Sequence, residues 1–147
     1  KVLELNSNAL RTLPDSLAKL KKLEVLDIRG NKIKEMPDCI QYMTGLKILS
    51  LRSNAMTLKE GLGQLPNLED LDLRSNRLDS LPSDIWELEG LKRLDLSNNN
   101  LKELATLLPA LTNLEWLDLR QNPITEEEEE RIKAAMPNTK VYFDYRF

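Results

Sequence analysis

The stretch Leu68-Glu69-Asp70-Leu71-Asp72-Leu73-Arg74-Ser75-Asn76-Arg77-Leu78 carries leucine at its first, fourth, sixth and eleventh positions and asparagine at its ninth. The same pattern, L-x-x-L-x-L-x-x-N-x-L, returns upstream at Leu23-Leu26-Ile28-Asn31-Ile33 and Leu46-Leu49-Leu51-Asn54-Met56. Downstream it returns at Leu91-Leu94-Leu96-Asn99-Leu101 and Leu114-Leu117-Leu119-Asn122-Ile124, and a truncated first copy reads Leu3-Leu5-Asn8-Leu10. The asparagines Asn8, Asn31, Asn54, Asn76, Asn99 and Asn122 are 23, 23, 22, 23 and 23 residues apart. A fixed period of that length belongs to a stack of coils.

Each position has a physical reason. The L-x-L alternation is a short strand whose leucines turn inward while their neighbours turn outward. Asparagine falls where the strand ends, and a buried amide there can both donate to and accept from backbone groups of adjacent coils. Later apolar residues such as Leu81, Ile85 and Leu88 fill the other limb of each coil. One coil cannot bury its own apolar edge, so stacking is what makes the core continuous.

On these residues the chain resembles the leucine-rich-repeat family over Leu3 to Ile124. Leu13-Pro14, Met36-Pro37 and Leu81-Pro82 resemble its 23-residue intracellular type, the Ras-suppressor and Scribble-like group. The third copy, around Leu58-Lys59-Glu60-Gly61-Leu62, lacks that proline and is one residue short; the fifth, around Leu104 to Leu108, lacks it too. Their return limbs are expected to be more helical. The resemblance implies an α/β solenoid, a curved right-handed superhelix with a parallel β-sheet on its concave face and short helical, 3-10 or extended segments on its convex face. Residues 1–124 form about six repeats, the first truncated, and residues 125–147 form a C-terminal cap of a helix plus an extended piece. Thr125 and Glu128 fit a capping box, and the run Glu126–Glu130 suits a solvated helix start. Ile132, Ala135 and Met136 are placed to face the last coil, Pro137-Asn138 to end the helix, and Val141, Tyr142 and Phe143 to cover the open end. No cap is visible at the other end, so the first coil is expected to be exposed or covered by sequence upstream of Lys1.

Composition narrows the function. Hydrophobic residues are 41% and charged residues 31% of the 147, and 21 basic against 24 acidic side chains leave a net charge of −3. That balance gives no bulk attraction to phosphate or anionic lipid, and with aromatics at 5% there is little to stack on bases. No nucleic-acid partner and no membrane insertion are therefore expected. Cys39 is the single cysteine and no N-glycosylation sequon occurs, which agrees with a reducing, cytoplasmic setting; a bacterial effector acting in a host cell would fit as well. No secretory leader or membrane span is read in the sequence. A monomer is expected.

Site chemistry is thin. Histidine is absent, so the commonest general base and metal ligand is missing. Cys39 has no basic cluster beside it and reads as a spare, partly exposed thiol rather than a nucleophile. The glutamate run lacks a calcium-binding loop, no Gly-rich phosphate loop exists, and arginine neighbours should keep the aspartates ionised. No catalytic residue, cofactor or metal is expected.

The family resemblance implies instead that a partner protein lies on the concave sheet, against template positions three, five and seven. Position three reads Val2, Val25, Ile48, Asp70, Arg93 and Trp116. Position five reads Glu4, Asp27, Ser50, Asp72, Asp95 and Asp118, and position seven Asn6, Arg29, Arg52, Arg74, Ser97 and Arg120. From Val25 onward these are the candidate contact residues, apart from Ser97. Trp116 and Arg93 are the expected anchors, because aromatics and arginine concentrate binding energy; the alternative is that Trp116 packs on Arg93 or on the cap. The aspartate and arginine rows read chiefly as a solvated charge ladder of small net stabilisation. Position two alternates Lys1, Glu24, Lys47, Glu69, Lys92 and Glu115 and reads as lateral pairing. Convex residues such as Asp84 are not expected to matter for binding. The leading reading is a non-catalytic protein-interaction module; the other is a scaffold or spacer within a larger signalling or effector protein.

Overall fold

The computed structural model describes residues 1–145 of the chain. The sequence period becomes a ladder of three-residue strands: β1 (Val2–Glu4), β2 (Val25–Asp27), β3 (Ile48–Ser50), β4 (Asp70–Asp72), β5 (Arg93–Asp95) and β6 (Trp116–Asp118). A seventh, β7 (Lys140–Tyr142), comes from the cap, so the extended piece expected to cover the last coil does so by joining the sheet. All seven pair in parallel and in sequence order. This is a leucine-rich-repeat solenoid, with strands along one side and return limbs along the other.

Register follows the template without slippage. Leu26, Leu49, Leu71, Leu94 and Leu117 stand opposite one another at the strand centres and are fully buried. A one-residue slip would turn this entire leucine file to solvent, which is why the register is strongly specified.

The asparagines form the expected ladder. The Asn76 amide donates to the Leu51 and Leu73 carbonyls at 3.0 and 3.1 Å and accepts from the Asn54 and Met56 backbone N–H groups. Asn99 repeats this between its own neighbouring coils, and Asn54 donates likewise to the Ile28 and Leu51 carbonyls while accepting from the Ile33 N–H. Asn31, Asn54 and Asn76 are buried, whereas Asn99 and Asn122 are half-buried and Asn8 is exposed and bonds only within its own coil. Each interior amide satisfies backbone groups that would cost about 1–3 kcal/mol if buried unpaired.

The residue before each asparagine has left-handed backbone: Ser7, Gly30, Ser53, Ser75, Asn98 and Gln121 all have φ between 53° and 65°. The chain thus reverses at a fixed point in every coil. Only Gly30 and Asn98 are types that enter this region readily; the serines and Gln121 are held there by the ladder on either side.

The return limbs contain 3-10 segments at Asp15–Lys19, Asp38–Tyr42, Leu62–Gln64, Ser83–Glu87 and Leu108–Ala110. The third and fifth limbs are less helical than the others, contrary to expectation, with three such residues instead of five. In the other three limbs Pro14, Pro37 and Pro82 cap the segment with φ near −65°, which aims the chain into it. Gly61 takes that place in the 22-residue coil with φ 133°, and in the fifth limb residues 105–107 form turns first.

Helix α1 (Glu126–Ala135) closes the stack, with Ile132 and Met136 buried against it and Ala135 at its edge. Thr125 caps α1, its hydroxyl accepting from the Glu128 N–H at 3.2 Å. Glu128 does not return the bond as a capping box would. It is buried, and one carboxylate oxygen accepts from Leu104 and Ala105 N–H at 2.6 and 2.7 Å. The solvated helix start expected for the glutamate run is therefore corrected at this residue. Residues 146 and 147 of the expected cap lie outside the described residues.

Candidate protein-binding face

The sheet turns its outward side chains into three parallel rows. Position three runs Val2, Val25, Ile48, Asp70, Arg93 and Trp116, with Lys140 of β7 added. Position five runs Glu4, Asp27, Ser50, Asp72, Asp95 and Asp118, with Tyr142 added. Lys140 and Tyr142 were not among the expected contact residues; the alternation in Lys140-Val141-Tyr142 was their only signal.

Position seven supplies guanidinium groups to the aspartates. Asp27 accepts from the Arg29 backbone N–H at 3.1 Å and pairs with its guanidinium at 3.3 Å. Asp72 does the same for Arg74 at 3.1 and 3.4 Å, and Arg74 leans also to Asp95 at 3.8 Å. Asp118 accepts from the Arg120 backbone N–H at 3.0 Å and holds its guanidinium through both carboxylate oxygens. Asp95 turns to the Ser97 N–H and hydroxyl, at 3.0 and 2.7 Å.

Two corrections follow. Asp95 and Asp118 are buried, at 2% and 1% exposure, so this row is not solvated throughout, and these two carboxylates act by holding Ser97 and Arg120 in place. Asp70 is not simply held ionised by its arginine either. Arg93 lies 3.6 Å away, yet burial outweighs it and pushes the Asp70 carboxyl above its usual range, with Asp72 and Asp95 adding to the rise.

Trp116 and Arg93 engage each other. The Arg93 guanidinium lies 3.7 Å from the Trp116 ring centroid, and the Tyr142 ring stands tilted on the far side at 5.4 Å. Trp116 is half-buried in this stack, packing on Arg93 and on the cap residue Tyr142. The outer edge carries the lateral pairs expected of position two, Lys47 with Glu24 at 3.8 Å and Lys92 with Glu69 at 2.8 Å. Lys92 holds the Glu69 carboxyl below its usual range by hydrogen bonding and by charge.

The β1–β3 end of the face differs. Val2 and Ile48 are 60% and 43% exposed, with half-buried Val25 in register between them. Ser50 breaks the acidic file, so Arg52 lacks the carboxylate that its counterparts have. Among the described residues the Arg52 side chain makes no hydrogen bond, ion pair or ring contact.

Elsewhere the structure corrects one further expectation. Cys39 is buried rather than partly exposed, and burial pushes its thiol above the ordinary range, which suits an inert core residue. Asp84 is buried as well, and it accepts from Gly61 and Gly63 N–H at 2.5 and 2.9 Å. Among the described residues no group of three histidine, cysteine or acidic side chains is placed to hold a metal. Nor is any helix there long and apolar enough to cross a membrane.

Comparison with known proteins agrees with the geometry. Residues 1–77 match a family model described as a leucine-rich repeat region, and residues 66–124 match one described as a leucine rich repeat. Among solved structures the chain is similar to internalin C2 of Listeria monocytogenes, at 25% identity and a TM-score of 0.78, covering 97% of this chain and 70% of that one. It is similar to a leucine-rich-repeat protein of Leptospira interrogans at 28% identity and a TM-score of 0.63, covering 97% and 48%. It is also similar to the ectodomain of a plant membrane receptor kinase from Arabidopsis thaliana, solved in complex with Casparian strip integrity factor 2. There the identity is 25%, the TM-score 0.72 and the coverage 97% of this chain against 17% of the ectodomain. No curated protein matches the chain.

Proposed function

Because the chain belongs to the leucine-rich-repeat family, we propose that it is a non-catalytic protein-interaction module that binds a partner protein through the concave face of its parallel sheet. The supporting observation is the sheet face itself: rows of outward positions run in register across all seven strands. A rigid, pre-ordered surface of this kind loses little entropy on binding. Seven strands at about 4.8 Å spacing span nearly 30 Å, enough for a helix, a loop cluster or a small globular face. The similar receptor ectodomain was solved in complex with Casparian strip integrity factor 2, which favours a binding role for this fold. Chemistry favours binding over catalysis. The sequence has no histidine, and Asp27, Asp72 and Asp118 are engaged by the arginines two residues on.

Site-specific photocrosslinking in the protein's own cells tests this. A photoreactive residue at positions 25, 48, 52, 93 or 116 should yield discrete protein adducts, and the same residue at position 87 or 127, on the return limbs or the cap, should not. Adducts confined to positions 87 and 127 would move the binding surface off the sheet.

A further inference from the structure

The outward rows repeat one device, and β3 lacks it. Where position five is aspartate and position seven arginine, the carboxylate accepts the arginine's backbone N–H and pairs with its guanidinium: Asp27 with Arg29, Asp72 with Arg74, Asp118 with Arg120. On β3 the pair is Ser50 and Arg52. The Ser50 hydroxyl is covered and makes no hydrogen bond, and the Arg52 guanidinium has no partner among the described residues. The flanking carboxylates do not substitute. Asp27 is held by Arg29, with the Asn6 amide also donating to it at 3.4 Å, and Asp72 is held by Arg74.

The same strand bears the most exposed aliphatic side chain of the interior strands. Ile48 is 43% exposed and lies in register with Val25 on β2, and Val25 with Val2 on β1. An apolar strip two strand spacings wide, about 10 Å, therefore lies beside an uncompensated guanidinium. Across the sheet the arrangement reverses, since Arg93 and Trp116 stack on each other and Tyr142, and Arg120 is paired. Binding energy concentrates where an apolar contact can be desolvated beside a charge that gains its first partner. A charge already paired inside the protein must give up that partner before it can gain another.

We infer that Val25, Ile48 and Arg52 form the docking point for a partner segment that presents a carboxylate side chain close to an aliphatic or aromatic one. The apolar side chain packs on Val25 and Ile48 and the carboxylate pairs with Arg52. Ile48 and Arg52 are four residues apart, about 13 Å along an extended chain, so both contacts fit within one short stretch of an extended ligand. The inference rests on the sheet-face reading above and locates its centre on β3, away from Trp116.

The test is selection of a phage-displayed library of random dodecapeptides on the full chain, with affinities of the enriched peptides then measured by fluorescence anisotropy. Enriched peptides should carry Asp or Glu within about four residues of Leu, Ile, Val or Phe. Arg52→Glu should weaken them by about tenfold or more, and Ile48→Ala by about fivefold. Ser50→Asp should weaken them to a similar degree as Arg52→Glu. It places on β3 the carboxylate that β2 and β4 carry, so Arg52 is captured internally while the fold keeps its usual pairing. Thermal midpoints of all variants should stay close to that of the parent chain. Failure to enrich any peptide, or peptides indifferent to both Arg52→Glu and Ser50→Asp, would overturn the inference. If affinity falls instead with Trp116→Ala or Arg93→Ala, the inference fails while the sheet-face reading stands. If it falls only with return-limb changes such as Glu87→Ala, both fail.

Discussion

Burial makes the charged form of Asp70 costly to the fold. It stands in mid-sheet, its carboxyl raised first by burial and then by Asp72 and Asp95, with Arg93 opposing. A carboxyl whose folded pKa lies above its unfolded value binds protons more tightly in the folded state. Its stabilising contribution is complete below the unfolded pKa of about 3.9 and is lost as pH rises through the folded value. Asp70→Asn should therefore raise the thermal midpoint at pH 7, by less than about 1 kcal/mol in stability because solvent reaches the side chain. The advantage over the parent chain should shrink to nothing near pH 3.5. Thermal unfolding across that range checks the sign. A variant less stable at pH 7, with its deficit vanishing in acid, would mean that the Arg93 ion pair outweighs burial. Arg93 and Arg52 therefore differ: Arg93 is engaged by Asp70 and Trp116, whereas among the described residues the Arg52 side chain has no such partner.

The return limbs obey a rule of their own. Proline carries no N–H, so a 3-10 segment capped by Pro14, Pro37 or Pro82 leaves one donor fewer to satisfy. Gly61 stands at the corresponding cap of the third limb and restores that donor, which Asp84 of the next coil accepts along with that of Gly63. A side chain at Gly63 has no room, since a Cβ there would lie 2.4 Å from the Asp84 carbonyl oxygen. The fifth limb also lacks proline at the capping position, and Glu128 of α1 accepts two of its N–H groups, those of Leu104 and Ala105. Each limb without a capping proline is thus held by a buried carboxylate from the element that follows it. Asp84→Ala should destabilise by about 2–4 kcal/mol, because it leaves two charge-assisted bonds unmade in a buried place. It should do so without altering the sheet face. Urea denaturation measures the loss, and a change below about 0.5 kcal/mol would show that the limb finds other acceptors.

The molecule is a one-dimensional stack, so its ends carry a burden that its middle does not. At the C-terminal end α1 and β7 cover the last coil: Ile132 and Met136 are buried, β7 pairs along β6, and Thr139 donates to the Leu114 carbonyl at 2.7 Å. Deleting residues 125–147 would uncover Leu117 and Leu119, free the edge of β6 for pairing with another chain, and strip Leu104 and Ala105 of their acceptor. Such an edge is a template for association. The truncated chain should aggregate or oligomerise at micromolar concentration, as read by light scattering. A monodisperse truncated chain of unchanged midpoint would show that the last coil protects itself.

Much of this was legible in the residues. The leucine and asparagine period specified the coil, the parallel sheet, its register and the outward rows, because side-chain direction alternates strictly along a strand and a one-residue slip would expose the whole leucine file. Thr125 as the cap of α1 and the inward face of Ile132 and Met136 were equally readable, since capping and helical spacing are local. What the sequence could not state was which polar groups find partners across coils. Ser50, Asp84 and Glu128 look alike in a string of polar residues. The stack brings Asp84 under Gly61 and Glu128 under Leu104 from 23 and 24 residues away, while among the described residues it gives the Arg52 guanidinium no ion pair. It also stacks Trp116 between Arg93 and Tyr142, which reach it only once β5 and β7 flank β6. Periodicity depends on near neighbours along the chain, and the sequence determines it alone. Satisfaction of charge and hydrogen bonds depends on distances between coils, and only the folded stack decides those.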